Sequence, residues 1–352
     1  MIIISIFDLN FRMRFLLFLV TITTVVCQSP DACPFSCMCS NKSVICKGVN
    51  IFPTGLPVDL ETLVFDVSSF TDFKQNSLKT FKSLKTLRII NSNFTYIHAC
   101  SISNLNNLTK IEFKNVQIGE IVSNGFSHLS YVKEIVLFKI TVQKMHEYAF
   151  NDLTNIDNVL IESMYIANMN NFVFHGWSNI RRVQLKSLTV LTMKPRPFQD
   201  FEKIDQLEII GGTFASSMCG MKGIINTESV KKFKLLNNHV DCSCDSTWMF
   251  EIKRNPKDIE VFNNTCLGSG DDVTKLDVDK ICTDFESPEC SSVISTKTKI
   301  HDCRTYTMDE PIIPRDTVHY PKTKDSQNGN GATREKISHL FLVSLTVLSF
   351  CL

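Results

Sequence analysis

The sequence predicts an α/β solenoid in which short repeats share one parallel β-sheet and disulfide-bonded caps close the two ends. Three observations carry that prediction. Apolar residues recur every 24 residues through the middle of the chain. Within each unit the apolar pattern becomes the two-residue alternation of a strand with one buried face. Clusters of four cysteines stand just before and just after the repeats. A unit of this length cannot bury its own apolar side, so neighbours must stack and share a core. The ends of such a stack expose core and need covering.

The repeat begins at Leu60 and holds its spacing through Leu84, Leu108, Val132, Ile156, Ile180 and Ile204. Three positions on, the same register returns Leu63, Leu87, Ile111, Ile135, Val159, Val183 and Leu207; two further on it returns Phe65, Ile89, Phe113, Leu137, Ile161, Leu185 and Ile209. The last two columns alternate as a strand does. Later in each unit Phe126, Phe150, Phe174 and Phe198 recur, followed by Leu129, Leu153, Trp177 and Phe201, as an irregular or helical return segment needs for core contact. After Ile204 the spacing loosens to 26, and Val230, Phe233 and Leu235 mark the last strand expected.

With these residues in register, positions 33 to 283 resemble the extracellular leucine-rich repeat family, which implies a horseshoe with a parallel concave sheet. One departure stands out. The family usually has Asn at the ninth repeat position, where its amide bonds neighbouring backbone, but here that column reads Ser68, Ser92, Val116, Ile140, Met164, Leu188 and Gly212, with Asn only at Asn238. The turn in most units therefore needs other partners for its backbone groups.

The cysteines extend the resemblance. Cys33, Cys37, Cys39 and Cys46 have the C-x3-C-x-C-x6-C spacing of the family's N-terminal cap, which implies Cys33 with Cys39 and Cys37 with Cys46; four cysteines by themselves permit three connectivities. Cys242, Cys244, Cys266 and Cys282 resemble the C-terminal cap and imply Cys242 with Cys266 and Cys244 with Cys282, with Trp248 as the cap's buried aromatic. Cys290 and Cys303 are expected to close a small local loop in the segment beyond. Cys100 and Cys219 fall five repeats apart, roughly 24 Å by strand spacing and beyond disulfide reach. They are expected as free thiols or as bridges to a second chain.

The two ends read as addresses. Arg12 and Arg14 precede the apolar run from Phe15 to Val26, a signal-peptide core too short to span a bilayer, with cleavage near Cys27. The run from Leu340 to Leu352 rises only about 20 Å as a helix, short of the ~30 Å hydrocarbon core. Preceded by the polar spacer Thr333 to His339 and the small residues Asn330, Gly331 and Ala332, it has the form of a glycosylphosphatidylinositol attachment signal, with Asn330 as the anchored residue and Asn328 or Ser326 as alternatives. The plan is a signal peptide at 1–27, an N-terminal cap at 28–59, seven repeats at 60–229, a last strand and cap at 230–283, a polar stalk at 284–330 and a removed propeptide at 331–352. Sequons at Asn41, Asn93, Asn107 and Asn263 suit the same secretory route.

With 37 Lys+Arg against 36 Asp+Glu, the chain has no global field to attract nucleic acid. No G-x-S-x-G, H-E-x-x-H or phosphate-cradling glycine loop occurs, and the histidines fall at different places in their repeats. Neither enzymatic chemistry, a metal nor a cofactor is expected. The outward strand positions instead place Val136, Phe138 and Leu160 together at the middle of the concave face, with Arg88, Glu112 and Gln184 on the rim. An apolar centre within a charged rim is the anatomy of a protein interface. The expected partner is an extracellular or cell-surface protein, with a transmembrane co-receptor where signalling is involved and the membrane reached by a lipid anchor. Adhesion or co-receptor function is the reading, and a shed or secreted recognition protein of innate immunity or a matrix component the alternative.

Overall fold

The structure, a computed structural model, describes residues 33–277 and 303, except 195, 199, 217–228, 247 and 252–257. The chain divides into Met1–Asp309 and Glu310–Leu352, and every described residue belongs to the first. The signal segment, Cys219, Cys282, Cys290 and the anchor signal around Asn330 lie outside the described residues.

The shared sheet passes through Ser43–Lys47, Thr62–Asp66, Thr86–Ile90, Lys110–Ile121, Glu134–Met145, Phe150–Glu162, Ser178–Lys186, Glu202–Ile210, Val230–Leu236 and Ile259–Phe262, each strand parallel to the next. Register follows the repeat: Leu63 stands beside Leu87, then Ile111, Ile135, Val159, Val183 and Leu207. These columns are buried throughout, with Leu63, Leu87 and Ile111 at 0% exposure. Each such side chain contributes about 1.5–3 kcal/mol by burial.

Every concave strand ends at a corner with left-handed backbone. Positive φ recurs at Val67, Asn91, Asn115, Lys139, Ser163, Ser187, Gly211, Asn237 and Asn263. Asn and Gly tolerate that region; a β-branched residue is strained there, so Val67 at φ 51° is the costly member of the column. Beyond the corner a second strand begins, and in Lys110–Ile121 and Glu134–Met145 it is continuous with the first.

That continuity answers the question raised by the ninth column. Val116, Ile140, Met164 and Leu188 are each buried at 1% exposure, and the backbone ladder itself proceeds round the corner, with Ile140 beside Val116 and Thr141 beside Gln117. Side-chain bonding at this column is found towards the two ends. The Ser68 N–H donates to Ser92 Oγ (3.0 Å). At the other end Asn238 Oδ1 accepts from the Gly212 N–H (2.8 Å), Asn238 Nδ2 donates to the Ile209 carbonyl (3.0 Å), and Asn264 repeats the arrangement on the Asn238 N–H (3.0 Å).

The returns of the second to fifth units contain strand, that of the first is built of turns, and helix is almost absent among the described residues. Phe126–Ser130 pairs with the start of Phe150–Glu162, which pairs in turn with Phe174–His175. The phenylalanines stack along this ladder, with centroids 4.6 Å apart for Phe126 and Phe150 and 5.0 Å for Phe174 and Phe198. Trp177 lies flat on Phe201 at 5.5 Å. Helices pack about 8–10 Å apart whereas strands pack about 4.8 Å apart. Rings in successive units can stack only at the strand spacing, so the aromatic column selects an extended return.

At the N-terminal end Cys37–Ser40 forms an antiparallel hairpin with Ser43–Lys47, and bonds join Cys33 to Cys39 and Cys37 to Cys46. At the other end Cys242 bonds Cys266, Cys244 is also in a disulfide, and Trp248 is buried on the short helix Trp248–Glu251. Three expectations need correction. Val230–Leu236 is not the last strand, because Ile259–Phe262 adds one more, placing Ile259 beside Phe233 and Val261 beside Leu235. Cys303 does not close a loop with Cys290, and Cys100 is not free: the two are bonded to each other across 203 residues, with Cα atoms 5.6 Å apart. Proximity of two chain segments in the folded molecule, invisible in residue spacing, decides that pair.

Candidate protein-binding face

Side chains that point out of the concave sheet form rows running across the strands. One row reads Arg88, Glu112, Val136, Leu160, Gln184 and Glu208, each in register with the next. Five of the six predicted binding residues thus stand shoulder to shoulder. The sixth, Phe138, lies two positions further along its strand, in a row with Lys114 and Glu162. Val136, Phe138 and Leu160 are all half-buried. Their lower atoms are held by the sheet while the remainder faces solvent.

Two cations flank the Phe138 ring: Lys114 Nζ is 5.7 Å and Lys139 Nζ 5.4 Å from its centroid. Ammonium groups at this range are attracted to the ring face. The apolar centre is therefore partly covered by lysine stems that an incoming group would displace or share.

Part of the rim is internally satisfied. Arg88 Nε meets Glu112 Oε2 at 2.6 Å, Lys110 Nζ meets Glu134 Oε2 at 2.7 Å, and Gln184 Nε2 and Gln206 Nε2 each donate to Glu208 at 2.6 Å. Identical positions of adjacent units meet across a strand gap, so unlike groups alternate and like charges are avoided. Among the described residues Lys114, Arg182, Lys186 and Lys232 form no salt bridge, nor does Glu162, so the uncommitted charge on this face is mainly positive.

One apolar feature escaped the sequence reading. Ile210, Leu236 and Phe262 line up on three successive strands at the C-terminal end of the face, with Phe262 46% exposed. The usable signal was the 26-residue step from Leu236 to Phe262, matched by that from Asn238 to Asn264. The strand carrying Phe262 lies inside the cysteine-rich region, where the cysteine pattern masks the repeat.

The histidines bond neighbouring units. His98 reaches Asp72 (2.9 Å), His146 reaches Glu120 (2.6 Å), His128 reaches Asp152 (2.6 Å), and His175 lies between Asn151 (2.9 Å) and Asp200 (3.1 Å). Each is held by a separate partner set. Among the described residues no three His, Cys, Asp or Glu side chains gather as a metal site would require, and no helix is long and apolar enough to cross a membrane. The four sequon residues Asn41, Asn93, Asn107 and Asn263 are all exposed.

The family match agrees with this geometry. The BspA type leucine rich repeat region matches in six copies, over residues 58–165 and 120–244. No curated protein matches the chain. Among solved structures, human 5T4 (Wnt-activated inhibitory factor 1, trophoblast glycoprotein) is similar at 14% identity and a TM-score of 0.41, covering 72% of this chain and 99% of that one. A chain of the octameric complex of Latrophilin 3, Unc5D and FLRT2 is similar at 15% identity and a TM-score of 0.31, covering 70% of this chain and 98% of that one.

Proposed function

This chain belongs to the BspA-type leucine-rich repeat family, and from that premise we propose that it binds a protein ligand through its concave face at the cell surface, in adhesion or as a co-receptor. One observation carries the reading. Val136, Phe138 and Leu160 form a half-buried apolar island whose rim pairs, Arg88–Glu112 and Gln184–Glu208, already satisfy one another. Along the Arg88–Glu208 row a partner covers groups that already bond one another, while beside Phe138 it meets Lys114, which forms no salt bridge among the described residues, so an apolar core is bordered by one polar contact for the ligand.

In this reading a signal peptide directs export, glycans occupy Asn41, Asn93, Asn107 and Asn263, and a lipid joined at Asn330 holds the chain on the outer leaflet. Signalling then passes through a transmembrane partner, whereas adhesion needs none. The uncommitted Lys114, Arg182, Lys186 and Lys232 favour a ligand with acidic side chains around its apolar anchor.

Cell mixing tests the proposal. Labelled cells expressing the full chain are combined with expressing or non-expressing cells, before and after treatment with a phosphatidylinositol-specific phospholipase. Clustering that is lost on treatment, and lost also in Phe138→Asp with normal surface display, is the expected result. Clustering unchanged by Phe138→Asp removes the concave island from the reading, and protein that resists the lipase removes the lipid anchor.

A further inference from the structure

Cys100 occupies the second corner of its unit, in a column of left-handed residues with Asn76, Asn124, Tyr148 and Phe172. This corner joins the second strand to the return, across the core from the concave strand. The residue bonded to it, Cys303, is 4% exposed, and Cys100 is 1% exposed. Two further groups hold residue 303. Asn104 Nδ2 donates to its carbonyl at 3.0 Å, and Ser127 Oγ, on a residue with 0% exposure, lies 3.3 Å from its sulfur. Asn104 and Ser127 belong to successive units, so residue 303 sits in a cleft between two repeats, recognised through both main chain and side chain.

The position of that cleft along the stack matters. The C-terminal strand Ile259–Phe262 stands six strand steps beyond Lys110–Ile121, about 29 Å at the spacing of strands. We propose that this cleft is an intramolecular docking site for the C-terminal segment that carries Cys303, which thereby returns to the second and third repeats instead of extending away from the C-terminal cap. The inference stands on the Cys303 geometry and does not depend on the ligand reading.

The test uses the full chain from a secretory host. Non-reducing peptide mapping is expected to recover Cys100 joined to Cys303; recovery of Cys290 joined to Cys303, or of Cys100 joined to Cys219, overturns the proposal. Amine cross-linking then reads position. Lys297 and Lys299, just before Cys303 in sequence, are expected to cross-link to the exposed Lys74, Lys79 and Lys82 beside the corner residue Asn76. In Cys303→Ser, which leaves the repeats intact, those links are expected to fall at least several-fold. Asn104→Ala keeps both cysteines and serves as the milder variant, with a smaller loss expected. Links confined to Lys275 near the cap, or links to Lys74, Lys79 and Lys82 equal in wild type and Cys303→Ser, refute the docking.

Discussion

Replacing Ile140 with asparagine restores the residue that the leucine-rich repeat family usually carries at this column, and it is expected to destabilise the protein severely. Ile140 is 1% exposed, and its strand, Glu134–Met145, pairs on one side with Val116 and Gln117 and on the other, from Thr141 onward, with Tyr165. The neighbouring backbone donors and acceptors are thus taken. Loss of the buried aliphatic side chain costs about 2–5 kcal/mol, and a carboxamide lacking partners in the same space adds about 1–3 kcal/mol. The sum, roughly 3–8 kcal/mol, is comparable to the ~5–15 kcal/mol that holds an ordinary domain together. Asn238→Leu is the reciprocal experiment. Its amide accepts from the Gly212 N–H and donates to the Ile209 carbonyl, so the change orphans two groups on buried residues, for about 2–6 kcal/mol at 1–3 kcal/mol each. Secretion yield and the urea midpoint report the overall effect. Hydrogen exchange localises it, because a repeat array can open piecewise. An Ile140→Asn protein that is secreted normally and keeps its midpoint would refute the claim that the continuous strand ladder has replaced the asparagine ladder in the central units.

Three smaller perturbations test the same architecture. Val67→Gly should raise stability by about 1 kcal/mol by relieving a left-handed β-branched residue, read as a higher urea midpoint; Asn is avoided because it would create a sequon with Ser69. Gly119→Ala should lower stability by about 1–3 kcal/mol, because its Cβ would stand 2.6 Å from the Thr95 carbonyl oxygen, a main-chain atom that cannot swing away; an unchanged midpoint would contradict that clash. Glu61 is held below the ordinary carboxylate range chiefly by hydrogen bonds from Lys85 and Lys42, which tie the N-terminal hairpin to the first two units. Because its folded pKa is depressed, its small contribution to stability is present above the unfolded carboxylate pKa and lost as pH falls through the lower folded value. Glu61→Gln should therefore flatten the acid limb of the stability profile slightly, and a carboxyl that titrates at its ordinary position would contradict the pairing.

The candidate face was largely legible because strand alternation assigns outward positions without reference to distant residues. Arg88, Glu112, Val136, Leu160 and Gln184 fall into one row as soon as the 24-residue register is set. What that register could not supply was the state of those side chains. Whether Arg88 is free or paired with Glu112, and whether Phe138 is bare or flanked by Lys114 and Lys139, depends on rotamers and on which neighbour reaches further. The extended return was illegible for a related reason: Phe126 and Leu129 suit one turn of helix or an irregular strand equally, and the choice follows from stacking Phe126 on Phe150 across units.

By itself, then, the sequence determined the solenoid, its strand columns and the placing of its cysteine clusters, because each depends on near-neighbour periodicity that survives in one dimension. Tertiary structure alone decided the strand Ile259–Phe262 within the cysteine-rich region and the bond between Cys100 and Cys303. A partner 203 residues away is chosen by where the folded chain brings two sulfur atoms together, and spacing along the chain carries no record of that distance.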